Sequence, residues 1–232
     1  MKFEPAAGIK LYGYWRSSAA YRVRIALNLK GLAFESCPVN LVRDGGEQHE
    51  VAYRAINPQG LVPALVHEGH VLTQSMSICE YLDECFEDYP LLPAEPLARA
   101  RVRSLALQVA CDIHPLNNLR VQKYLKTHCG DDTDTVAWMS HWMHEGFTAI
   151  EQQLGSDGDA GFLPGQERPG LFECFLVPQV YNAERFGTDM SPFPLIGGIV
   201  RQCRTLPAFV DAAPENQPDA ITVLLENHCV PI

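Results

Sequence analysis

Two adjacent hydroxyls stand where an alternating apolar segment gives way to a helical one. Tyr14-Trp15-Arg16-Ser17-Ser18-Ala19-Ala20 ends a strand-like run, and Tyr21-Arg22-Val23-Arg24-Ile25-Ala26-Leu27 continues with helical character. The first turn of a helix carries N–H groups without intrahelical acceptors, and its aligned peptide dipoles leave partial positive charge there. Such an end attracts anions. A serine hydroxyl placed there can donate to a thiolate held at the helix start. The plain alternative is that Ser17 or Ser18 only caps the helix, the commonest task of a serine in that position.

Magnitudes favour taking the thiolate seriously. An ordinary thiol has a pKa of about 8.5, and one unit corresponds to about 1.4 kcal/mol. Lowering it by about two units takes roughly 2.7 kcal/mol. A hydrogen bond to a charged group supplies about 1.5–3 kcal/mol, and a helix end adds about 0.3–1 and occasionally ~2 kcal/mol. One hydroxyl at a helix start therefore suffices, with no metal and no histidine base.

Other chemistry is poorly supported. His141 and His144 stand three apart in His141-Trp142-Met143-His144-Glu145, a spacing that matches neither common zinc-helix pattern. No metal is expected. The eight cysteines, at 37, 79, 85, 111, 129, 174, 203 and 229, form no C-x-x-C pair. They read as small buried apolar residues in a reducing cytoplasm.

The elements that must position the hydroxyls follow from periodicity. Ile9–Tyr14 alternates like a strand, and Tyr21–Lys30 reads as a helix with Gly31 placed to end it. Ala33–Val42 holds a second strand, and Gln48–Ile56 a short helix or irregular stretch. Pro63–His67 and Val71–Thr73 flank the turn Glu68-Gly69-His70 as a hairpin. Ser75–Phe86 then has helical periodicity. The order β-α-β-α-β-β-α is the thioredoxin-like plan. Tyr89–Pro96 carries three prolines in eight residues and reads as a linker. Beyond it strand signals vanish. Leu97–Lys126, interrupted at Pro115, then Thr133–Leu154 and Leu171–Arg185 are long helical stretches, with shorter ones at Leu195–Thr205 and Pro207–Ala213. The predicted fold is an α/β thioredoxin-like N-terminal domain plus an all-α C-terminal domain. The predicted boundaries are 1–89, linker 90–97 and helical domain 98–232.

Composition excludes several classes. The chain has 232 residues, 47% apolar and 20% charged, enough for a substantial core. Its net charge of −10, with no basic run, argues against nucleic acid and against anionic membrane surfaces. The first ten residues are too polar for a signal peptide, and no apolar run reaches the ~18 residues of a membrane span.

The helix-start motif resembles the signature of the zeta class of glutathione transferases, which includes maleylacetoacetate and maleylpyruvate isomerases. Ser17 and Ser18 match its two serines, and Arg22-Val23-Arg24-Ile25-Ala26-Leu27 matches its end; Ala19 stands where the family has Cys or Thr. The resemblance covers nearly the whole chain and implies the glutathione-transferase fold. It implies glutathione as cofactor and Ser17 as the thiol-activating residue, with Ser18 beside it. The loop Asn57-Pro58-Gln59-Gly60-Leu61-Val62-Pro63 resembles the family's loop before the hairpin, with a cis Val62–Pro63 bond. The Val62 backbone would pair with the tripeptide as an added strand does. Gln74-Ser75 matches the family's pair at a helix start, where Ser75 and the amides would hold the γ-glutamyl carboxylate. Gln59 could reach the peptide.

On the substrate side, Cys111-Asp112-Ile113-His114-Pro115 resembles a stretch of maleylpyruvate isomerases, and Val177-Pro178-Gln179-Val180 with Arg185 resembles a later helix of that group. The implied basic pocket uses Arg16, Arg120 and Arg185, with His114 and Asn118 nearby. Guanidinium groups bind carboxylates through paired donors, so a small dicarboxylate would engage more than one. An isolated exposed arginine more often makes an ion pair worth about 0–1 kcal/mol. The helix beginning Gly170-Leu171-Phe172-Glu173 departs from the family's usual Ser/Thr-x-x-Asp box, but Glu173 can still reach the Gly170 amide.

The implied activity is cis–trans isomerisation of a maleyl diacid in aromatic-compound breakdown, by addition of the glutathione thiolate to the double bond, rotation and elimination. Two rivals stay open. A transferase or dehalogenase acting on small electrophiles such as α-halo acids would consume glutathione. A non-catalytic binding protein of the same fold would turn nothing over. Similar proteins are homodimers, which implies a homodimer here.

Overall fold

The computed structural model describes residues 8–130, 134–155, 162 and 166–220. Packing divides the chain into two units: the residues up to Leu91 together with those from Thr205, and Leu92–Arg204.

The first unit is built on a four-stranded sheet in the order β2-β1-β3-β4, from β1 (Lys10–Gly13), β2 (Glu35–Pro38), β3 (Ala64–His67) and β4 (His70–Thr73). β1 runs parallel to β2 and antiparallel to β3, with Leu11 opposite both Ser36 and Leu65. A parallel neighbour requires a crossover, and α1 (Ser18–Leu29) provides it. The helix forms because Ala, Leu and Arg dominate the segment, and it ends as Gly31 predicts. Gly31 takes φ 65°, Leu32 N–H donates to Leu27 O and Gly31 N–H donates to Asn28 O. The helix begins at Ser18, earlier than the Tyr21 expected from periodicity. The Ser17 side chain stops the fraying of that first turn by accepting from Ala20 N–H at 3.2 Å. Gly13 lies where β1 passes under α1, and a Cβ there would stand 3.1 Å from the Ala20 Cβ. Val23, Ile25, Ala26, Leu27, Leu65 and Ile78 form the dry centre of this unit.

α2 (Val51–Ile56) follows two short 3-10 turns, and α3 (Ser75–Cys85) packs against α1. α9 (Pro207–Ala212) packs along α1 as well. Tyr21 Oη donates to Phe209 O, Asn28 Nδ2 to Ala208 O and Arg24 Nε to Ala212 O. This docking places residues 205–220 with the sheet, whereas the sequence reading groups 98–232 together.

The second unit holds α4 (Pro96–Leu107), α5 (Leu119–Cys129), α6 (Thr135–Gly155), α7 (Leu171–Arg185) and α8 (Pro194–Cys203). The stretch expected over Leu97–Lys126 is broken into α4, a wide π-type turn at Gln108–Ile113, a 3-10 turn at His114–Asn117, and α5. Pro115 causes this, since it lacks an N–H and its ring crowds the preceding turn. Thr133, the expected start of the next helix, lies outside the described residues, as does Cys229.

α7 is buried over almost its whole length. Its start carries the expected reach-back: Glu173, fully buried, accepts from the Gly170 N–H at 2.8 Å. Changing Glu173 to alanine leaves that amide buried without its acceptor, a loss of about 1–3 kcal/mol. Urea unfolding is expected to show a lower midpoint with an unchanged slope. Turnover of the folded variant should stay near that of the parent chain.

Candidate active site

The sheet unit brings eight of the expected site residues onto one set of loops and helix starts. Ser17 caps α1 from an extended backbone (φ −69°, ψ 115°), and its Oγ accepts from Ala20 N–H. An acceptor role uses a lone pair and leaves the hydroxyl proton to donate elsewhere. Among the described residues Ser17 Oγ–H meets no acceptor, and the N–H groups of Ser18 and Ala19 are likewise unbonded. Ser18 is buried and Ser17 half-buried. One hydroxyl proton and two amide protons thus converge on the start of α1, which fits a sulfur anion.

The second helix start repeats the device. Ser75 opens α3 and is buried, and its Oγ accepts from Arg22 Nη1 at 3.1 Å. Its own proton stays free to donate. Gln74, just before it, takes φ 69° and ψ 116°. A non-glycine residue held in such a sparsely populated region costs about 1–3 kcal/mol. That conformation turns the chain sharply from β4 into α3. The first N–H groups of α3 have no acceptor among the described residues, which suits a carboxylate.

Gln74 Nε2 donates to Gln59 Oε1 at 3.0 Å, so the loop before β3 is tied to the α3 start. That loop is fixed underneath. Leu61 O accepts from Tyr53 Oη and from Asn57 Nδ2. Gly60 takes φ 63° with a Cβ position only 2.9 Å from Gln48 O, so no larger residue fits. The Val62–Pro63 bond is cis, and Pro63 is buried. Among the described residues Val62 N–H and C=O make no hydrogen bond. They form an open backbone edge for an extended peptide.

Arg16 is half-buried in the loop between β1 and α1. Its Nη2 donates to Tyr14 Oη at 3.1 Å, and its Cζ lies 4.6 Å from the Trp15 ring centroid. The guanidinium is stacked and pinned at one corner, with other donors left over for a carboxylate.

The helical unit carries the remaining four. His114 sits in the 3-10 turn before α5. Asn118 caps α5, its Oδ1 accepting from Arg120 N–H at 3.1 Å. Arg120 is exposed in the first turn of α5. His114, Asn118 and Arg120 are therefore sequential on one turn and helix start. Arg185 stands apart on the last turn of α7, over the Phe186 ring at 4.5 Å.

Two residues gain roles that periodicity does not assign. Arg22 and Arg24 are both buried. Arg22 directs Ser75, as above. Arg24 Nη2 donates to Trp15 O at 3.0 Å, in the loop that carries Arg16 and Ser17. The signal was present: two cations stand in an otherwise apolar helical run, where burial demands partners.

The chain's own buried thiols are poor nucleophiles. Burial pushes Cys79 up to about 12 and raises Cys203 further. Among the described residues no cluster of His, Cys, Asp and Glu could hold a metal ion, and no helix is long and apolar enough to cross a membrane.

Comparison with known proteins agrees with this geometry. Residues 11–90 match the family model for the glutathione S-transferase N-terminal domain. A probable maleylacetoacetate isomerase of Vibrio cholerae is 50% identical over 211 residues, covering 90% of this chain and 97% of that protein. A holo structure of a maleylpyruvate isomerase, described as a bacterial zeta-class glutathione S-transferase, superposes with TM-score 0.87 at 46% identity. That match covers 91% of this chain and 99% of the other. Two structures of the Anaeromyxobacter dehalogenans maleylacetoacetate isomerase each match with TM-score 0.81 and 39% identity over 91% of this chain and 97% of theirs. One has glutathione bound in its active site; the other has dicarboxyethyl glutathione and citrate.

Proposed function

Because the chain belongs to the zeta class of glutathione transferases, the family of the maleylacetoacetate and maleylpyruvate isomerases, we propose that it is a glutathione-dependent cis–trans isomerase of a maleyl diacid. The carrying observation is the paired serine arrangement. Ser17 and Ser75 each accept a hydrogen bond from within the protein and keep the hydroxyl proton for a ligand, each at a helix start with unbonded amides.

These residues fit glutathione in parts. Ser75 and the α3 amides hold its γ-glutamyl carboxylate, and the Val62 backbone edge pairs with its cysteinyl backbone. Gln59 and Gln74 flank the peptide, and Ser17 with the Ser18 and Ala19 amides faces the sulfur. Bound there, glutathione would supply a nucleophilic thiolate for reversible addition to the cis double bond, so that rotation could occur without consuming it. Ser17 keeps the sulfur ionised before addition and receives it again after elimination. We assign Arg16 on the sheet unit to a substrate carboxylate; on the helical unit the candidates for carboxylate binding are Arg120 and Arg185, with His114 and Asn118. A ligand combining glutathione with two carboxyl groups in the A. dehalogenans relative supports this division of labour.

Substrate, maleylpyruvate or maleylacetoacetate, belongs to aromatic-compound breakdown, and we assign the protein to the cytoplasm as a homodimer. The test supplies each cis acid with catalytic glutathione and follows both loss of substrate absorbance and free thiol. Many turnovers per glutathione with constant thiol are expected. Stoichiometric thiol loss would make the protein a transferase or dehalogenase; no turnover and no glutathione binding in calorimetry would leave a binding protein.

A further inference from the structure

The loop between β1 and α1 delivers Arg16 and Ser17, yet its grip comes largely from the far end of the chain. The Trp15 peptide is held on both sides. Its N–H donates to Asp219 Oδ2 at 2.9 Å, and its C=O accepts from Arg24 Nη2 at 3.0 Å. Arg24 also reaches Ala212 O at 2.9 Å and Tyr14 O at 3.5 Å, so one guanidinium joins the loop to the end of α9.

The segment bearing Asp219 is itself locked. Gln217 is buried and donates to both Asp211 O and Ala213 O at 2.9 Å. Asn216 Nδ2 donates to Val210 O at 2.8 Å, and Ala220 is fully buried. Asp219 is half-buried, and its carboxylate accepts from a peptide N–H 204 positions earlier. A charge-assisted bond to a main-chain amide is about twice as strong as a neutral one. The bond ties the register of Trp15 to this locked segment. A shift at Trp15 moves the ring on which Arg16 stacks and the residue that precedes Ser17 by only two.

We infer that Asp219 is a positioning residue for the thiol site: with Arg24 it clamps the Trp15 peptide and so fixes where Ser17 and Arg16 meet sulfur and substrate. This deepens the isomerase reading and rests on it.

The test compares D219A and D219N with the parent chain and with S17A. Displacement of a reacting group by about 1 Å can cost on the order of 100-fold, so D219A is expected to lose about 10- to 100-fold in kcat. Glutathione affinity by calorimetry should change less than threefold, because Ser75 and Val62 are untouched. The thiolate absorbance of the glutathione complex at neutral pH should fall. D219N keeps an acceptor oxygen and should recover most of both signals. A merely stabilising role would lower the unfolding midpoint of D219A while leaving kcat and the thiolate signal at parental values, and that result overturns the inference. If D219A does not accumulate as folded protein, D219E, which misplaces the acceptor by one methylene, is read the same way. Parental kcat in S17A would instead remove the mechanism on which the inference rests, so the two failures are distinguishable.

Discussion

Replacing Ser17 with alanine lowers kcat about 10- to 150-fold, the equivalent of a hydrogen bond to a charged group worth about 1.5–3 kcal/mol. Alanine removes two things at once. It removes the acceptor for Ala20 N–H, a loss of about 1 kcal/mol in helix stability. It also removes the proton aimed at the sulfur. Only the second should appear in kcat, since a folded helix without its cap still presents the Ser18 and Ala19 amides. Ser17→Thr separates the two, because threonine restores both acceptor and donor and should return most of the rate. Steady-state kinetics at saturating glutathione, with urea unfolding alongside, measures both terms. Parental kcat in Ser17→Ala would mean that the hydroxyl serves α1 only as a cap.

Replacing Ser75 with alanine acts on binding instead. The KM for glutathione should rise about 10- to 150-fold, by the same hydrogen-bond magnitude, while kcat at saturating glutathione stays within about threefold of the parent. That split follows from uniform binding: the γ-glutamyl carboxylate is far from the reacting carbons and is held equally in ground and transition states. Arg22 loses one of its contacts in this variant, so a lower unfolding midpoint is expected as well. Ser75→Thr keeps the hydroxyl and should restore affinity. A fall in kcat with unchanged KM would show that α3 contributes to the chemistry and not to the grip.

Much of this site was legible in the sequence because its logic is local. A serine before a helical run is a cap wherever it occurs, and the hydroxyls of Ser17 and Ser75 announce both helix starts. Glu173 three residues past Gly170 announces the reach-back bond at α7. The order of elements also followed, since one crossover and one hairpin give the thioredoxin-like plan. What was not legible depends on contacts across long stretches of chain. Arg22 pairs with Ser75, 53 residues on, and Trp15 with Asp219, 204 residues on; periodicity carries no trace of either. The grouping of α9 with the sheet was hidden for the same reason. The bonds of Tyr21, Asn28 and Arg24 to carbonyls of α9 disclose it. Pro115 was expected to interrupt a helix, but the sequence does not say how the chain absorbs the break. The π-type turn followed by a 3-10 turn reflects packing of that segment against α6.

Ala19 illustrates where the family pattern and this chain part. Ala19 itself stands where the resembled signature has Cys or Thr, so in the proposed site this position would offer the sulfur only its amide. Energetically one hydroxyl and a helix end already reach the roughly 2.7 kcal/mol needed for a shift of about two pKa units. The chain therefore does not require a second side-chain donor at that place.

Catalysis in the proposed site depends on the ionisation of a borrowed sulfur, and a pH titration of the thiolate absorbance of the glutathione complex tests it directly. With Ser17 and the α1 amides facing the sulfur, the bound thiol should titrate about two units below the ordinary thiol value of about 8.5, so that thiolate dominates at neutral pH. A bound thiol that titrates at the ordinary value, with glutathione demonstrably in place, would contradict it.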